Sequence, residues 1–352
     1  MSPPFPSAAA ITVIGDGLAG TLLALSLASR GASVRLIGAG DDAMATGLSY
    51  GALPRGRASR AWRRLERLHG PLGWHASGLV FHDGRPGLPH RLAALSQRVP
   101  LPLARVDAPT WSSARWRALA AAGVHHLSGR VHALAPASQG GWRLKLAPAA
   151  GAASELTAET VVLAAGAGCR TLSPGLPRRF RHSWAGVLLV EAGAPANSWL
   201  DQARRGRIVQ PRHWRRPAVE AASAESSEPV WIVDAGLAPW GDGVVVGQIS
   251  WIPPAGAQGE SSPSLTPPDP RWMEQRLREG LHQLDPELAR LDAPYRQVPV
   301  SFCSDGQPLV EPVAGPPGLW SFAGFSAAFS RVPSAAEALA PRLLAAAGPA
   351  SQ

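Results

Sequence analysis

The chain has 352 residues, 45% of them hydrophobic and 17% charged, and carries a formal net charge of +9. This is enough chain for a large buried core and two domains; no apolar run of roughly 18 residues escapes interruption, which excludes a membrane-spanning helix, and the opening Met-Ser-Pro-Pro-Phe-Pro has no basic n-region, so a cytoplasmic location is expected. Lys145 is the only lysine among 34 basic residues, so the charge reads as compositional and makes nucleic-acid binding a minor expectation, while Cys169 and Cys303 have neither metal-ligand nor redox-pair spacing, so no metal and no disulfide framework are expected.

The first unit, residues 8–37, reads as strand, glycine turn, helix and strand around Gly15-Asp-Gly17-Leu18-Ala19-Gly20. Gly15 permits the tight turn, Gly17 admits a pyrophosphate against bare backbone, and Gly20 lets the helix pack closely on the strand. The helix N-terminus then directs amide N–H groups at phosphate, so a dinucleotide, FAD or NAD(P), is expected. An acid about 20 residues past the turn ordinarily binds the adenosine ribose. That position is Gly38 here, with Asp41 and Asp42 just beyond as ribose ligands or plain loop carboxylates.

Further along, Ser49-Tyr-Gly51-Ala52 is a small-residue loop. A helix is expected near 58–69, with Arg60, Arg63, Arg64 and Arg67 on one face, either a solvated stripe or an anion or partner site. Residues 74–82 alternate as a strand, 109–122 signal a helix, and His125-His126 opens a strand. Residues 131–134 and 142–146 read as an antiparallel meander turning at Gly140-Gly141. The apolar run 159–166 reads as a central parallel strand. From Trp184 to about Val300 antiparallel strands are expected at 187–190, 230–233 and 243–249, separated by mobile surface loops at 212–229 and 253–270, with a helix near 271–283.

Taken with three further segments, the chain resembles FAD-dependent oxidoreductases of the D-amino-acid oxidase class, which includes glycine and sarcosine oxidases. The segments are the 49–52 loop, Val161-Val-Leu-Ala-Ala165-Gly166-Ala-Gly168, and Asp305-Gly306-Gln-Pro followed by Gly324-Phe325-Ser326-Ala327 and a closing helix. The resemblance implies an α/β fold, a Rossmann-like FAD-binding domain (residues 1–73, 109–183 and 301–352) with a discontinuous antiparallel-sheet substrate domain (74–108 and 184–300). It also implies a cofactor site of Gly15, Gly17, Leu18, Ala19, Gly20, Ser49, Gly51, Ala52, Val131, Ala165, Gly166, Gly168, Asp305, Gly306, Gly324, Phe325, Ser326 and Ala327. The flavin ring is expected at the last four, where a helix N-terminus stabilises negative charge on reduced flavin.

The activity so implied is oxidation of a C–N bond in an amine or amino-acid-like small molecule, with hydride passing to flavin N5 and no formal general base required of the protein. No catalytic side chain is assigned. The family's carboxylate-binding arginine falls at Val300, leaving Arg296 and Arg331 as neighbouring substitutes or surface residues, and the substrate open among a neutral amine, a bulky amino acid and other compounds. Lys145 lies away from every flavin segment, which leaves dehydrogenase or slow oxidase behaviour, and Cys303 has the wrong spacing for covalent flavin attachment. Trp184, Trp231, Trp240, Trp251, Trp320, Phe325 and Phe329 are candidates for an aromatic pocket over the ring or for core. The alternative is a flavin-fold protein without amine oxidation that binds or acts on RNA or a protein partner.

Overall fold

A computed structural model describes residues 11–40, 45–82, 88–147, 154–195, 197–212, 215–258 and 265–347. Its first layer is a six-stranded sheet ordered Leu309–Pro312, Leu319–Ala323, Thr160–Leu163, Ile11–Ile14, Val34–Gly38 and His125–Ser128, parallel except for the first strand. Ile11–Ile14 and Thr160–Leu163 are buried at every position, as strands covered on both faces must be. One face is covered by the helices Leu18–Ala28, Ala108–Ala121 and Ala328–Ala347, whose leucines, alanines and tryptophans form one core with Val13, Leu36 and Val162. The other face carries a three-stranded antiparallel sheet, Arg130–Pro136, Trp142–Ala147 and Ser154–Ala158.

The second layer is an eight-stranded sheet ordered Tyr295–Cys303, Phe180–Val190, Gly243–Ile252, Val230–Trp240, Arg207–Pro211, Trp74–His82, Leu101–Val106 and Ala52–Leu53. Its pairings are antiparallel apart from Arg207–Pro211 against Trp74–His82. Leu188, Val246 and Leu237 on one face pack under the helices Ser198–Arg204 and Pro270–Leu284. Val187, Ala238 and Val245 on the other face meet Leu48, Tyr50 and Ala52, so the 48–52 loop joins the two layers.

Two expectations are corrected here, and one alternative is resolved. Residues 212–229 are not a bare loop: Arg216–Ala222 is a helix, with Pro217 in its first turn where a missing N–H costs nothing. Within 253–270, Ala255–Gln258 forms a short 3-10 turn and the helix begins at Pro270; residues 259–264 lie outside those described. Of the two alternatives for the aromatic residues, most take the core one. Trp184, Trp251 and Trp231 are cross-strand neighbours; the first two join the core under Pro270–Leu284, and Trp231 meets Trp272 edge-on at 5.9 Å. Trp320, Phe325 and Phe329 are buried in the first layer's core, and only Trp240 packs beside the 48–52 loop, where its Nε1 donates to the Gly47 carbonyl at 2.7 Å.

Candidate functional site

The glycine turns stand together because their strands are neighbours. Leu319–Ala323, Thr160–Leu163 and Ile11–Ile14 lie side by side and parallel, so the turns after Ala323, Leu163 and Ile14 share one edge of the sheet, the carboxyl edge where open α/β sheets bind ligands. Gly15 has φ 111°, and a Cβ there would lie 2.4 Å from the Ala164 carbonyl oxygen. Gly20 is equally constrained, since its Cβ would fall 1.7 Å from the Gly15 oxygen. Gly17 is the N-cap of the helix Leu18–Ala28 and supplies no side-chain cap, and no acid lies in the first turn. Leu18 buries its side chain in the core and presents only its amide, 3.4 Å from Thr46 Oγ1; Ala19, beside it, is half-buried.

Ala165, Gly166 and Gly168 form a tight 3-10 turn with Gly166 at φ 55°. The third turn includes Gly324 at φ 78° and Ala327 at φ 54°, the only non-glycine with positive φ among the described residues. Phe325 points its ring inward against Phe322 at 4.9 Å and leaves its backbone to the turn. The helix Ala328–Ala347 then starts directly after the turn. Gly51, at φ 62°, passes so close to Val106 that a Cβ would lie 1.9 Å from its carbonyl oxygen. Its amide donates to Ser49 Oγ at 3.2 Å, and the Ala52 carbonyl accepts from Ser330 Oγ at 3.4 Å, which ties this loop to the closing helix.

Three expected residues stand at the margins. Asp305 is half-exposed and paired with Arg179 at 3.3 Å, while the Gly306 carbonyl accepts from Arg331 at 2.6 Å. Arg331 is thereby a half-buried clasp on that turn. Arg296, which is exposed, donates to the Tyr295 carbonyl. Val131 is buried in the three-stranded sheet, whose entry lies beside the second strand because Gly129 N–H donates to the Gly38 carbonyl at 2.9 Å. Lys145 is exposed on the same small sheet. Cys303 is buried against Gly324, and burial pushes its thiol up to about 11, which keeps it protonated. Asp41 and Asp42 lie outside the described residues.

Sequence reasoning missed a polar chain at the third turn. Ser326 Oγ donates to Glu220 Oε2 at 3.0 Å, and Arg216 Nε donates to Glu220 Oε1 at 2.8 Å. Glu220 is buried on the unexpected helix Arg216–Ala222. Asp234 is nearby: burial raises its carboxyl above the usual range against the pull of Arg216, and Glu220 adds to the rise. Tyr50, whose hydroxyl is buried without a partner, faces Asp234, and burial followed by that carboxylate raises its phenol well above the usual range. The legible signal was Arg-Pro-Ala-Val-Glu-Ala-Ala, a proline followed by strong helix formers.

Asp16 is a second missed residue. Its Oδ2 accepts from Gly40 N–H at 2.9 Å and lies 3.6 Å from His126 Nε2. Burial opposes ionisation, but His126, the Gly40 amide and Arg115 outweigh it and hold the carboxyl below its ordinary range.

The arginine helix is Arg57–His69. Arg60, Arg63 and Arg67 border a cleft of about 550 Å³ with Trp74, and Arg55, Arg60 and Arg63 border an adjoining one of about 280 Å³ floored by Ser59, Ala76 and Leu103. Among the described residues, Arg64 alone of this group has an acid partner, Glu337 at 3.6 Å.

No curated protein sequence matches this chain. Among solved structures, glycine oxidase from Geobacillus kaustophilus superposes with a TM-score of 0.62 at 16% identity, covering 95% of each chain. L-amino acid deaminase from Proteus vulgaris gives 0.65 at 14% identity, over 98% of this chain and 95% of that one. Iminodiacetate oxidase from Chelativorans sp. BNC1 gives 0.61 at 18%, over 97% and 96%. The fold they share is the α/β arrangement described above, a Rossmann-like layer with a largely antiparallel substrate sheet beside it. A family model described as FAD dependent oxidoreductase (DAO) matches residues 101–342, more than half of the sequence, and the chain belongs to that family.

Proposed function

We propose that this protein binds FAD non-covalently and oxidises a C–N bond of an amine or amino-acid-like small molecule. The observation that carries this reading is the alignment of three glycine turns on one carboxyl edge: 15–20, 165–168 and 324–327. The residues fit the cofactor in one sense: the helix Leu18–Ala28 starts at Gly17 with no side-chain cap from that residue and no acid in its first turn, so its N-terminus suits a diphosphate, while Gly15, Gly20 and Gly51 hold their turns tight against this chain's own backbone. Residues 1–73, 109–183 and 301–352 form the cofactor domain in this reading, and 74–108 with 184–300 the substrate domain. The strands Phe180–Val190 and Tyr295–Cys303 carry the chain between them.

A flavin held at these turns would supply the two-electron acceptor for oxidation of the carbon next to nitrogen. The chain's part is orientation and dryness. Arg216, Glu220 and Ser326 link the substrate side to the flavin turn, and burial raises the Asp234 carboxyl above its usual range beside Tyr50. The test is anaerobic bleaching of the flavin band by a panel of amines and amino acids. Reduction by members of the panel supports the reading, and a bound flavin that none of them reduces sinks it.

A second reading, binding of RNA, is favoured by one observation. Arg55, Arg60, Arg63 and Arg67 have no carboxylate partner among the described residues and surround Trp74, with the Arg63 guanidinium 5.5 Å from its ring. Unpaired guanidiniums around an aromatic face suit phosphates and a stacked base. Single-stranded RNA retention that weakens steeply with salt, and is lost in Arg60→Ser/Arg63→Ser, supports it; salt-insensitive or absent binding removes it.

A further inference from the structure

We propose that Asp16, inside the first glycine turn, supplies the ribose-binding carboxylate that position 38 lacks; the inference rests on the reading of this chain as an FAD protein. In dinucleotide clefts the acid at the end of the second strand reaches the adenosine ribose hydroxyls. Here that strand ends in Gly38. A Cβ built on Gly38 would lie 2.0 Å from Asp16 Cγ and 2.3 Å from Oδ2. The Asp16 carboxylate therefore fills the space into which any side chain at position 38 would project. Gly38 and Asp16 are complementary: a longer residue at 38 and this aspartate conformation exclude one another.

The carboxylate is also prepared for the task. It is held in place by the Gly40 amide and faced by His126 from the neighbouring strand His125–Ser128. An ionised carboxylate accepts about four hydrogen bonds; the Gly40 amide and His126 both face Oδ2, so the acceptor offered to a vicinal diol is Oδ1. The charge arrives from the first strand instead of the second, at the same place in the cleft.

The experiment compares cofactor-free protein binding FAD with its binding an analogue whose adenosine ribose lacks both hydroxyls, followed by quenching of flavin fluorescence. Wild type should prefer FAD by about 10- to 100-fold, the range of charge-assisted hydrogen bonds, and Asp16→Asn should lose most of that preference while still binding the analogue. Gly38→Glu alone should bind FAD poorly because the two side chains collide, and Asp16→Gly/Gly38→Glu should regain both affinity and preference for the hydroxyls. Equal wild-type affinity for the two probes makes Asp16 a loop-closing residue only and overturns the inference while leaving the FAD reading intact. Failure of wild type to take up either probe overturns the FAD reading and this inference together. Because the probe comparison is made on wild type, an unfolded variant does not rescue the idea.

Discussion

Trp62 Nε1 donates to the Phe329 carbonyl at 2.7 Å, the acceptor that Pro333, one turn on in the helix Ala328–Ala347, has no N–H to satisfy. Trp62 is fully buried, stacked on Phe329 at 5.7 Å and edge-on to Trp111 at 5.3 Å. The arginine helix is thereby fastened to the first turn of the helix that follows residues 324–327. Trp62→Phe keeps an aromatic ring but strands a buried carbonyl. It should lower unfolding free energy by about 1–3 kcal/mol in urea titration, and an unchanged midpoint would show that the proline gap is filled in another way.

Glu220 joins Ser326 to Arg216 across the two sheets. Glu220→Gln keeps the size and an acceptor for Ser326 but removes the charge that Arg216 pairs with. If this chain orients substrate, the variant should keep FAD affinity within about threefold and lose about tenfold or more in kcat/KM, and the cycle with Arg216→Met should show coupling of about 1–3 kcal/mol. Parallel losses of FAD affinity and turnover would instead assign Glu220 to the turn's architecture.

His182 lies buried in the strand Phe180–Val190, and burial, then Arg181 and Arg170, lower its pKa to about 4 from 6.5. The unfolded chain takes up a proton below pH 6.5 that the folded chain refuses until about pH 4. Stability from this group is therefore full above pH 6.5 and falls as pH drops, by roughly 3 kcal/mol across the window. His182→Gln should flatten the fall between pH 7 and pH 4.5 by about 2–3 kcal/mol in paired urea titrations. Identical slopes in variant and wild type would place the acid sensitivity elsewhere.

What was legible in the sequence follows from how local the physical demand is. Gly15, Gly17 and Gly20 are readable because the turn itself requires bare backbone, and the parallel strands because burial on both faces leaves an unbroken apolar run. The helix of Glu220 carried a short local signal, but its pairing was not readable, since its partner Ser326 is 106 residues away. Asp16 was hidden by a rule that counts along the second strand, whereas its carboxylate arrives from the turn of the first. The aromatics stayed open between core and pocket because period and residue type mark a buried face without saying which of two sheet faces it is: Trp184 and Trp251 lie beneath Pro270–Leu284, and Trp240 beside the 48–52 loop. The strands Leu101–Val106 and Arg207–Pro211 went unread because both are short and carry prolines and arginines.

Gly324 and Cys303 make the last case, in which backbone and packing effects separate. At Gly324, φ is 78°, and a Cβ would lie 2.6 Å from Cys303 Sγ and 3.3 Å from Phe180 Cδ2. Gly324→Ala thus imposes left-handed strain of about 1 kcal/mol and overpacking of about 1–3 kcal/mol, with an expected total loss of about 2–4 kcal/mol. Cys303→Ala removes the sulfur atom nearest the new methyl group at the cost of a small cavity. In the double variant the methyl fills that cavity, so the two losses should combine to less than their sum by at least about 1 kcal/mol, while the backbone strain persists. Strict additivity in the cycle would mean that the turn, and with it the backbone at 324–327, shifts away from Cys303 instead of pressing on it.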